Sequence, residues 1–204
     1  MRGKRPPHEA ARRAIDMVAA AALLVVLLPV LLLVAGCIWR EMGRPLLFKH
    51  TRAGRNGHPF DLMKFRTMRE GSPGESDELR LTPLGRVLRR LSVDELPQLW
   101  NVLRADMSFV GPRPLPVRYV ERYTVGQARR LETLPGITGL AQVCGRNALT
   151  WEEKFELDVW YVEHQNLRLD AWILWRTLVT VVRRDGVSAH GHATMPEFFG
   201  SATT

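Results

Sequence analysis

The pattern of apolar and polar positions divides the chain into one long apolar segment and a longer mixed remainder. No residue from Met17 to Trp39 is charged, and a straight helix of this length extends about 34 Å, enough to cross the hydrocarbon core of a bilayer. Pro29 lies in mid-segment, where a proline removes a helical hydrogen bond and kinks the helix. A signal peptide, the alternative, has a shorter apolar region of about 7–15 residues. We therefore predict a membrane helix broken at Pro29.

Basic residues flank this segment on both sides. Those before it are Arg2, Lys4, Arg5, Arg12 and Arg13, and those after it are Arg40, Arg44, Lys49, Arg52 and Arg55. Because this balance removes the positive-inside preference, charge does not choose an orientation. A re-entrant helix that bends and returns leaves both clusters on the cytoplasmic face, whereas a kinked single span separates them. The residues alone leave both alternatives open.

The remainder of the chain predicts an α+β fold that is mainly helical. Segments 46–51 and 59–67 are expected to pair as a short hairpin around a turn at 55–57, and Thr82-Pro83 is typical of a helix start. Further helices are expected at about 95–103, 115–124, 126–133, 151–164 and 170–184. The last is rich in Trp and basic at its end, which is typical of an interfacial amphipathic helix, with a core helix as the alternative. We predict a membrane segment at 1–40 and a catalytic domain at 41–204.

The net charge and the number of cysteines limit the classes of function that this protein can have. The net charge of +8 and pI near 10.3 indicate anionic partners such as phospholipid head groups or nucleotide phosphates. Because the basic residues form no continuous block, a nucleic-acid-binding tail is not expected. The two cysteines, Cys37 and Cys144, exclude a disulfide framework and a thiolate metal cluster.

The segment from Leu91 to Pro114 carries the candidate chemistry. Pro97 has no N–H for the helical ladder and must lie in the first turn, which brings Asp94 and Glu95 to a helix N-terminus where a carboxylate stays ionised. Such a nucleophile can attack phosphate only if charge is neutralised, by Mg²⁺ and by arginines. The candidates are Arg89, Arg90, Arg113 and Arg146. A capping box from Ser92 to Glu95 is the structural alternative.

The ordered motifs resemble the bacterial sugar transferase family, the monotopic phosphoglycosyl transferases. The likeness covers about residues 11–200. Its pieces are KFRTM at 64–68, LSVDELPQLWNVLRADMSFVGPRP at 91–114, PGITGLAQVCGRN at 135–147, WEEKFELDVWYV at 151–162 and GVSAHGHATMPEFFG at 186–200. The last piece is similar to small members that begin glycan assembly.

The resemblance implies a specific reaction at the cytoplasmic face of a bacterial inner membrane. Members move a sugar-1-phosphate from a UDP-sugar to undecaprenyl phosphate and release UMP, through a covalent phosphosugar on the aspartate that corresponds to Asp94. Glu95 would help to place Mg²⁺, which both carboxylates would bind, or would handle a proton. The family's phosphate and nucleotide contacts correspond to Lys64, Arg89, Arg113 and Arg146, although Lys64 could instead be a solvated strand lysine. The family's re-entrant helix is broken at a proline, as at Pro29.

Two departures and two rival functions complete the prediction. Several relatives have Ser before the proline, where this chain has Leu28, and Cys144 stands at a commonly polar position. The chain resembles the family's minimal form, without a large multi-span domain, and exposed Trp and Leu would suit a homodimer. The rivals are an integral transferase without a covalent intermediate and a non-catalytic basic adaptor. The sugar is not readable, although residues 118–135 and 186–200 are candidates for choosing it.

Overall fold

A computed structural model describes residues 7–71, 75–145, 148–183 and 197–200. The chain forms the helices α1 (Pro7–Met42), α2 (Asp77–Arg80), α3 (Pro83–Arg90), α4 (Gln98–Leu103), α5 (Val125–Ala128), α6 (Leu140–Cys144), α7 (Trp151–His164) and α8 (Leu167–Arg183). The strands are β1 (Leu47–Ala53), β2 (Pro59–Phe65), β3 (Ser108–Val110) and β4 (Gly136–Thr138), and short 3₁₀ turns lie at 55–57, 93–95, 117–122 and 129–131. The expected mainly helical fold with a short antiparallel hairpin is confirmed.

Helix α1 packs lengthwise on the rest of the protein through one apolar stripe. The stripe residues are spaced three or four apart, as one helix face requires, and are Ala20, Leu24, Leu27, Leu31, Val34 and Ile38. The first three pack against β2 and α4, and the last three against β2 and α3. The opposite face is apolar but exposed, and within the described residues α1 is the one helix long and apolar enough to cross a membrane.

Helix α1 is continuous in its helical assignment through Pro29. Helical backbone on both sides of a proline is compatible with a kink, since the ring disturbs only the preceding turn. The break at Pro29, the re-entrant path and the boundary between 40 and 41 stay predictions.

A buried polar network attaches the start of α1 to the far side of the domain. Arg12 donates to Tyr161 (2.8 Å) and Ser108 (3.0 Å) and pairs with Asp170 (2.8 Å), while Ser108 donates to Asp16 (2.7 Å). Arg12 is ion-paired with Asp170, and the hydroxyls of Ser108 and Tyr161 link it to Asp16 and Asp170. The beginning of α1 is therefore joined to β3, α7 and α8.

The hairpin of β1 and β2 forms as expected. The strands pair in antiparallel register from Leu47 with Phe65 to Ala53 with Pro59. The turn needs two residues at positive φ, which Asn56 (55°) and Gly57 (77°) supply, and these residue types reach that region most readily. Because the residues that specify this turn are adjacent in the chain, the hairpin could be predicted from the sequence.

A second, parallel strand pair was not predicted. β3 and β4 pair from Ser108 with Gly136 to Val110 with Thr138. The backbones approach so closely that a Cβ on Gly136 would lie 2.1 Å from the nitrogen of Gly111. The two glycine-containing motifs, GPRP and PGITG, therefore meet here and direct the following segment, which contains Arg113, towards the hairpin.

Candidate active site

The Asp-Glu pair lies in a 3₁₀ turn between two helices. Asp94 and Glu95 belong to the turn at 93–95, and α4 begins only at Gln98 with Pro97 before it. The prediction that a helix starts near Glu95 was therefore wrong by about three residues. Backbone bonds here span three residues, from Glu95 N to Ser92 O (3.3 Å) and from Leu96 N to Val93 O (3.2 Å), and Pro97 has no N–H to extend a helical ladder backwards.

The capping-box alternative does not describe this turn. Ser92 adopts a left-handed conformation (φ 56°), and its side chain makes no capping hydrogen bond. A capping serine needs an extended backbone for its oxygen to reach the following N–H groups. The acidic pair is therefore not explained as a helix cap.

Asp94 is a buried carboxylate without a partner. Its exposed fraction is 7 %, and no hydrogen bond or ion pair reaches its side chain within the described part of the chain. Burial raises the pKa of Asp94, an effect that Lys64 opposes and Glu95 reinforces. Asp94 therefore lies in a 3₁₀ turn and not at the N-terminus of α4, and desolvation is the largest influence on its pKa. That Asp94 is ionised and acts as a nucleophile stays a prediction.

Glu95, by contrast, is held by two cations. Lys64 Nζ lies 2.5 Å and Arg113 Nη2 3.0 Å from the same oxygen, Oε1. Burial alone would raise the pKa of Glu95, but the charges and hydrogen bonds of Arg113 and Lys64 outweigh it and lower that pKa to about 2. The two adjacent carboxylates therefore differ in basicity, an arrangement that is common at catalytic sites.

The predicted cations are only partly brought together. Lys64 reaches the site from β2 and is not a solvated lysine, and Arg113 arrives from the segment after β3. Arg89, exposed on α3, donates to Thr67 Oγ1 (3.1 Å), and its charge favours the ionised form of Asp94. Arg90 is exposed at the end of α3, and Arg146 lies outside the described residues.

Three residues near the site were not found by sequence reasoning. Arg130 donates to the carbonyl of Arg113 (2.8 Å) and to Asp158 (2.7 Å), so this buried ion pair holds the backbone of Arg113 in place. Arg52 lines a cavity beside Lys64 and Arg113. Their roles depend on partners distant in sequence. The only signal was that Asp158 falls within one of the recognised motifs.

Comparison with known proteins matches most of this chain to one family. A family model described as bacterial sugar transferase matches residues 7–184. A protein of Bacillus subtilis named as an uncharacterized sugar transferase, EpsL, is 47 % identical over 194 residues, covering 93 % of this chain and 96 % of that protein.

Two further relatives carry more specific names. A UDP-glucose:undecaprenyl-phosphate glucose-1-phosphate transferase of Caulobacter vibrioides is 41 % identical over 84 % of this chain and 67 % of its own length. An undecaprenyl-phosphate galactose phosphotransferase of Salmonella typhimurium is 37 % identical over 86 % of this chain but only 41 % of its own length. With a family model that spans most of the chain and a relative matched almost end to end, this protein is a member of the bacterial sugar transferase family and a phosphoglycosyl transferase.

Proposed function

We propose that this enzyme transfers a sugar-1-phosphate from a UDP-sugar to undecaprenyl phosphate, with release of UMP, by way of a covalent phosphosugar on Asp94. The observation that carries the proposal is the buried carboxylate of Asp94, which no described residue binds by a hydrogen bond or ion pair, beside a second carboxylate held by two cations. An unpaired buried charge costs stability, which a fold tolerates mainly where the charge has a function. Relatives named as transferases acting on undecaprenyl phosphate support the substrates.

In this proposal Asp94 is the nucleophile, and the neighbouring cationic side chains neutralise the charge of the phosphates. Asp94 attacks the sugar-side phosphorus, the bond to the bridging oxygen breaks, and UMP leaves with the electron pair. A phosphate oxygen of undecaprenyl phosphate then attacks the same phosphorus and returns Asp94 to its carboxylate form. Lys64 and Arg113, with Arg89 nearby, lower the repulsion between the carboxylate and the anionic diphosphate. These roles follow from charge and position around one acidic turn.

The residues fit a Mg²⁺ site that substrate completes. Mg²⁺ is commonly bound by one or two carboxylates together with substrate phosphates, and bound Mg²⁺ would supply charge neutralisation to the diphosphate. No described residue forms a hydrogen bond or ion pair with Asp94, and the two cations on Glu95 share Oε1, which leaves Oε2 available. The described residues contain no cluster of three acidic, His or Cys side chains. Asp94 and Glu95 are therefore the proposed ligands.

The packing of α1 supports a re-entrant membrane helix. Arg12, near its start, is bound to the domain, and Glu41, near its end, accepts a hydrogen bond from Thr82 (3.1 Å) of the same domain. A single span would carry one end to the opposite face of the bilayer, away from these partners. We therefore propose that both ends lie on the cytoplasmic face of the inner membrane, with the exposed apolar side of α1 in the lipid.

Exposed tryptophans fit a catalytic domain at the membrane surface. Trp39, Trp100, Trp160, Trp172 and Trp175 are each at least 45 % exposed, and tryptophan is favoured where apolar lipid meets water. Helix α8, which carries two of them, is proposed as an interfacial amphipathic helix. This position would bring the phosphate of a lipid acceptor to the level of the site. A homodimer stays a prediction.

The reaction itself is tested by UMP release. Wild-type enzyme in detergent or nanodiscs should release UMP from an accepted UDP-sugar in the presence of undecaprenyl phosphate and Mg²⁺. Asp94→Asn should abolish release, since the amide is not a nucleophile towards phosphate. Asp77→Asn, a matched change on exposed α2, should keep normal turnover. Near-normal turnover of Asp94→Asn would remove Asp94 from the mechanism. A screen of UDP-sugars by the same assay identifies the donor.

A further inference from the structure

A basic cavity extends beyond the Asp94–Glu95 pair. Its volume is about 60 Å³, several times the roughly 10–15 Å³ that one water molecule requires. The hairpin contributes Arg52 and Lys64 to its wall, and Gln98 and Arg113 face them. Three of these four polar residues are cationic, so the cavity is suited to an anionic group larger than water.

The hairpin register explains why Arg52 faces this cavity. Lys64 is opposite Phe48, and Arg52 follows Phe48 by four residues on the same strand. Residues at even spacing along a strand share a face, and so do residues directly opposite each other. Arg52 and Lys64 therefore project from the same face of the hairpin.

Arg52 differs from the neighbouring cations because no acidic residue pairs with it. In the described ranges, Lys64 and Arg113 pair with Glu95, and Arg118 pairs with Glu197. The only side-chain bond of Arg52 is from Nη2 to Nδ1 of His50 (3.0 Å), and its buried Nε has no partner. Burial, with the repulsion of nearby arginines, lowers the pKa of Arg52 to about 10, which leaves it charged at neutral pH. Arg52 is therefore a half-buried cation with one buried donor unused, which suits it to bind an anionic group.

We propose that Arg52 binds the nucleotide-side phosphate of the donor and stabilises it as it leaves. This inference rests on the function proposed above. Lys64 and Arg113 contact Glu95 directly (2.5 and 3.0 Å), whereas Arg52 touches neither carboxylate and lines the cavity beside these two cations. The second phosphate of a diphosphate held at the acidic pair would extend into this cavity. When the bond from phosphorus to the bridging oxygen breaks, that oxygen gains a negative charge on the nucleoside monophosphate. The Arg52 guanidinium neutralises this charge.

The experiment separates the two half-reactions. Arg52→Gln should slow formation of the phosphosugar adduct from donor alone by roughly 10- to 100-fold, as expected for a lost charged phosphate contact, and should weaken UMP binding, measured by calorimetry, to a similar degree. Transfer from a preformed adduct, purified from UMP, to undecaprenyl phosphate should keep the wild-type rate. Arg104→Gln, the same change at an exposed position, should leave both half-reactions unchanged.

The outcomes distinguish this role from a structural one. Equal slowing of both half-reactions by Arg52→Gln, or unchanged UMP affinity, would overturn the proposal. Arg52→Lys, which keeps the charge, should recover part of the UMP affinity even if the Gln variant folds poorly, and no recovery would also contradict it. If wild-type enzyme forms no adduct, the covalent mechanism fails, but the UMP titration still decides the role of Arg52.

Discussion

At the residue scale, removing the charge of Glu95 and removing that of Asp94 should have different effects on the stability of the fold. Glu95 neutralises Lys64 and Arg113, and its pKa of about 2 means that its ionised form stabilises the fold. The pKa of Glu95 is lower in the folded protein than its ordinary value of 4.5, so its ionisation stabilises the folded state fully at any pH well above 4.5. This contribution is complete at neutral pH and is lost as the pH falls towards 2. Among the described residues, Asp94 has no hydrogen-bond or ion-pair partner to lose.

Glu95→Gln should therefore lower the free energy of unfolding at pH 7 by roughly 3 kcal/mol. Asp94→Asn should leave stability unchanged or raise it, because it removes an unpaired buried charge. Thermal unfolding in detergent, compared among wild type and both variants, measures the difference. A larger destabilisation by Asp94→Asn than by Glu95→Gln would contradict this account of the site.

The pH dependence of activity should follow Asp94 and not Glu95. Burial raises the pKa of Asp94 above its ordinary value of 3.8, so kcat/KM should fall with decreasing pH before a typical carboxylate would be protonated. Lys64 is the strongest influence that lowers this pKa. Lys64→Met should therefore move the acidic limb to higher pH, in addition to lowering the rate. An acidic limb that is unmoved by this substitution would assign the titration to another group.

At the element scale, the segment at 197–200 is attached to the domain by a buried aromatic side chain and by ion pairs. Phe198 is 2 % exposed and packs edge-to-face on Tyr119 and Phe155 with ring centroids 5.7 and 5.0 Å away. Its neighbour Phe199 is 79 % exposed. Nearby, Glu197 accepts hydrogen bonds from Arg118 (2.9 Å) and Arg122 (3.0 Å).

Phe198→Ala should destabilise the enzyme by about 3–5 kcal/mol, as for other buried aromatic residues, and Phe199→Ala should have little effect. The two unfolding temperatures provide the comparison. Equal shifts would mean that the segment does not pack on Tyr119 and Phe155 as described. Residues 186–196, which were candidates for choosing the sugar, lie outside the described residues.

The elements found from the sequence are those specified by neighbouring residues. The hairpin depends on the turn at Asn56 and Gly57, and α3 begins where Thr82 Oγ1 accepts a hydrogen bond from Gly85 N (2.9 Å). The pairing of β3 with β4 was missed because each strand has only three residues and the two are distant in the chain. Segments of three residues are too short to carry a periodic signal that would predict their pairing.

Which residues lie together at the turn of Asp94 and Glu95 was partly predictable, but their environment was not, and their roles stay predictions. The motifs led to Asp94, Glu95 and Lys64, whereas the burial of Asp94 and the sharing of Glu95 Oε1 result from tertiary packing. Arg52 could not be separated from the other flanking basic residues, since its lack of an acidic partner is a property of the fold. The local sequence thus indicated which residues to consider, whereas tertiary packing determines the direction in which their pKa values shift.

At the scale of the whole molecule, the proposed function depends on the path of α1, because the proposed donor is water-soluble and the proposed acceptor is a lipid. Both ends of α1 contact the catalytic domain through Arg12 and Glu41. Single cysteines placed near residues 5 and 50, in a background without Cys37 and Cys144, should both resist a membrane-impermeant thiol reagent applied to intact cells. Both should react after the membrane is opened. Labelling of one position in intact cells would establish a single span and contradict the re-entrant helix.

The central claim is that Asp94 carries the phosphosugar between the two substrates. The most direct measurement is intact mass spectrometry of the enzyme incubated with Mg²⁺ and an accepted UDP-sugar, without undecaprenyl phosphate. The expected result is a mass increase of one phosphosugar, located on Asp94 by peptide mapping, absent from Asp94→Asn and removed when undecaprenyl phosphate is added. An enzyme that turns over normally with both substrates, yet never gains this mass with donor alone, would contradict the account.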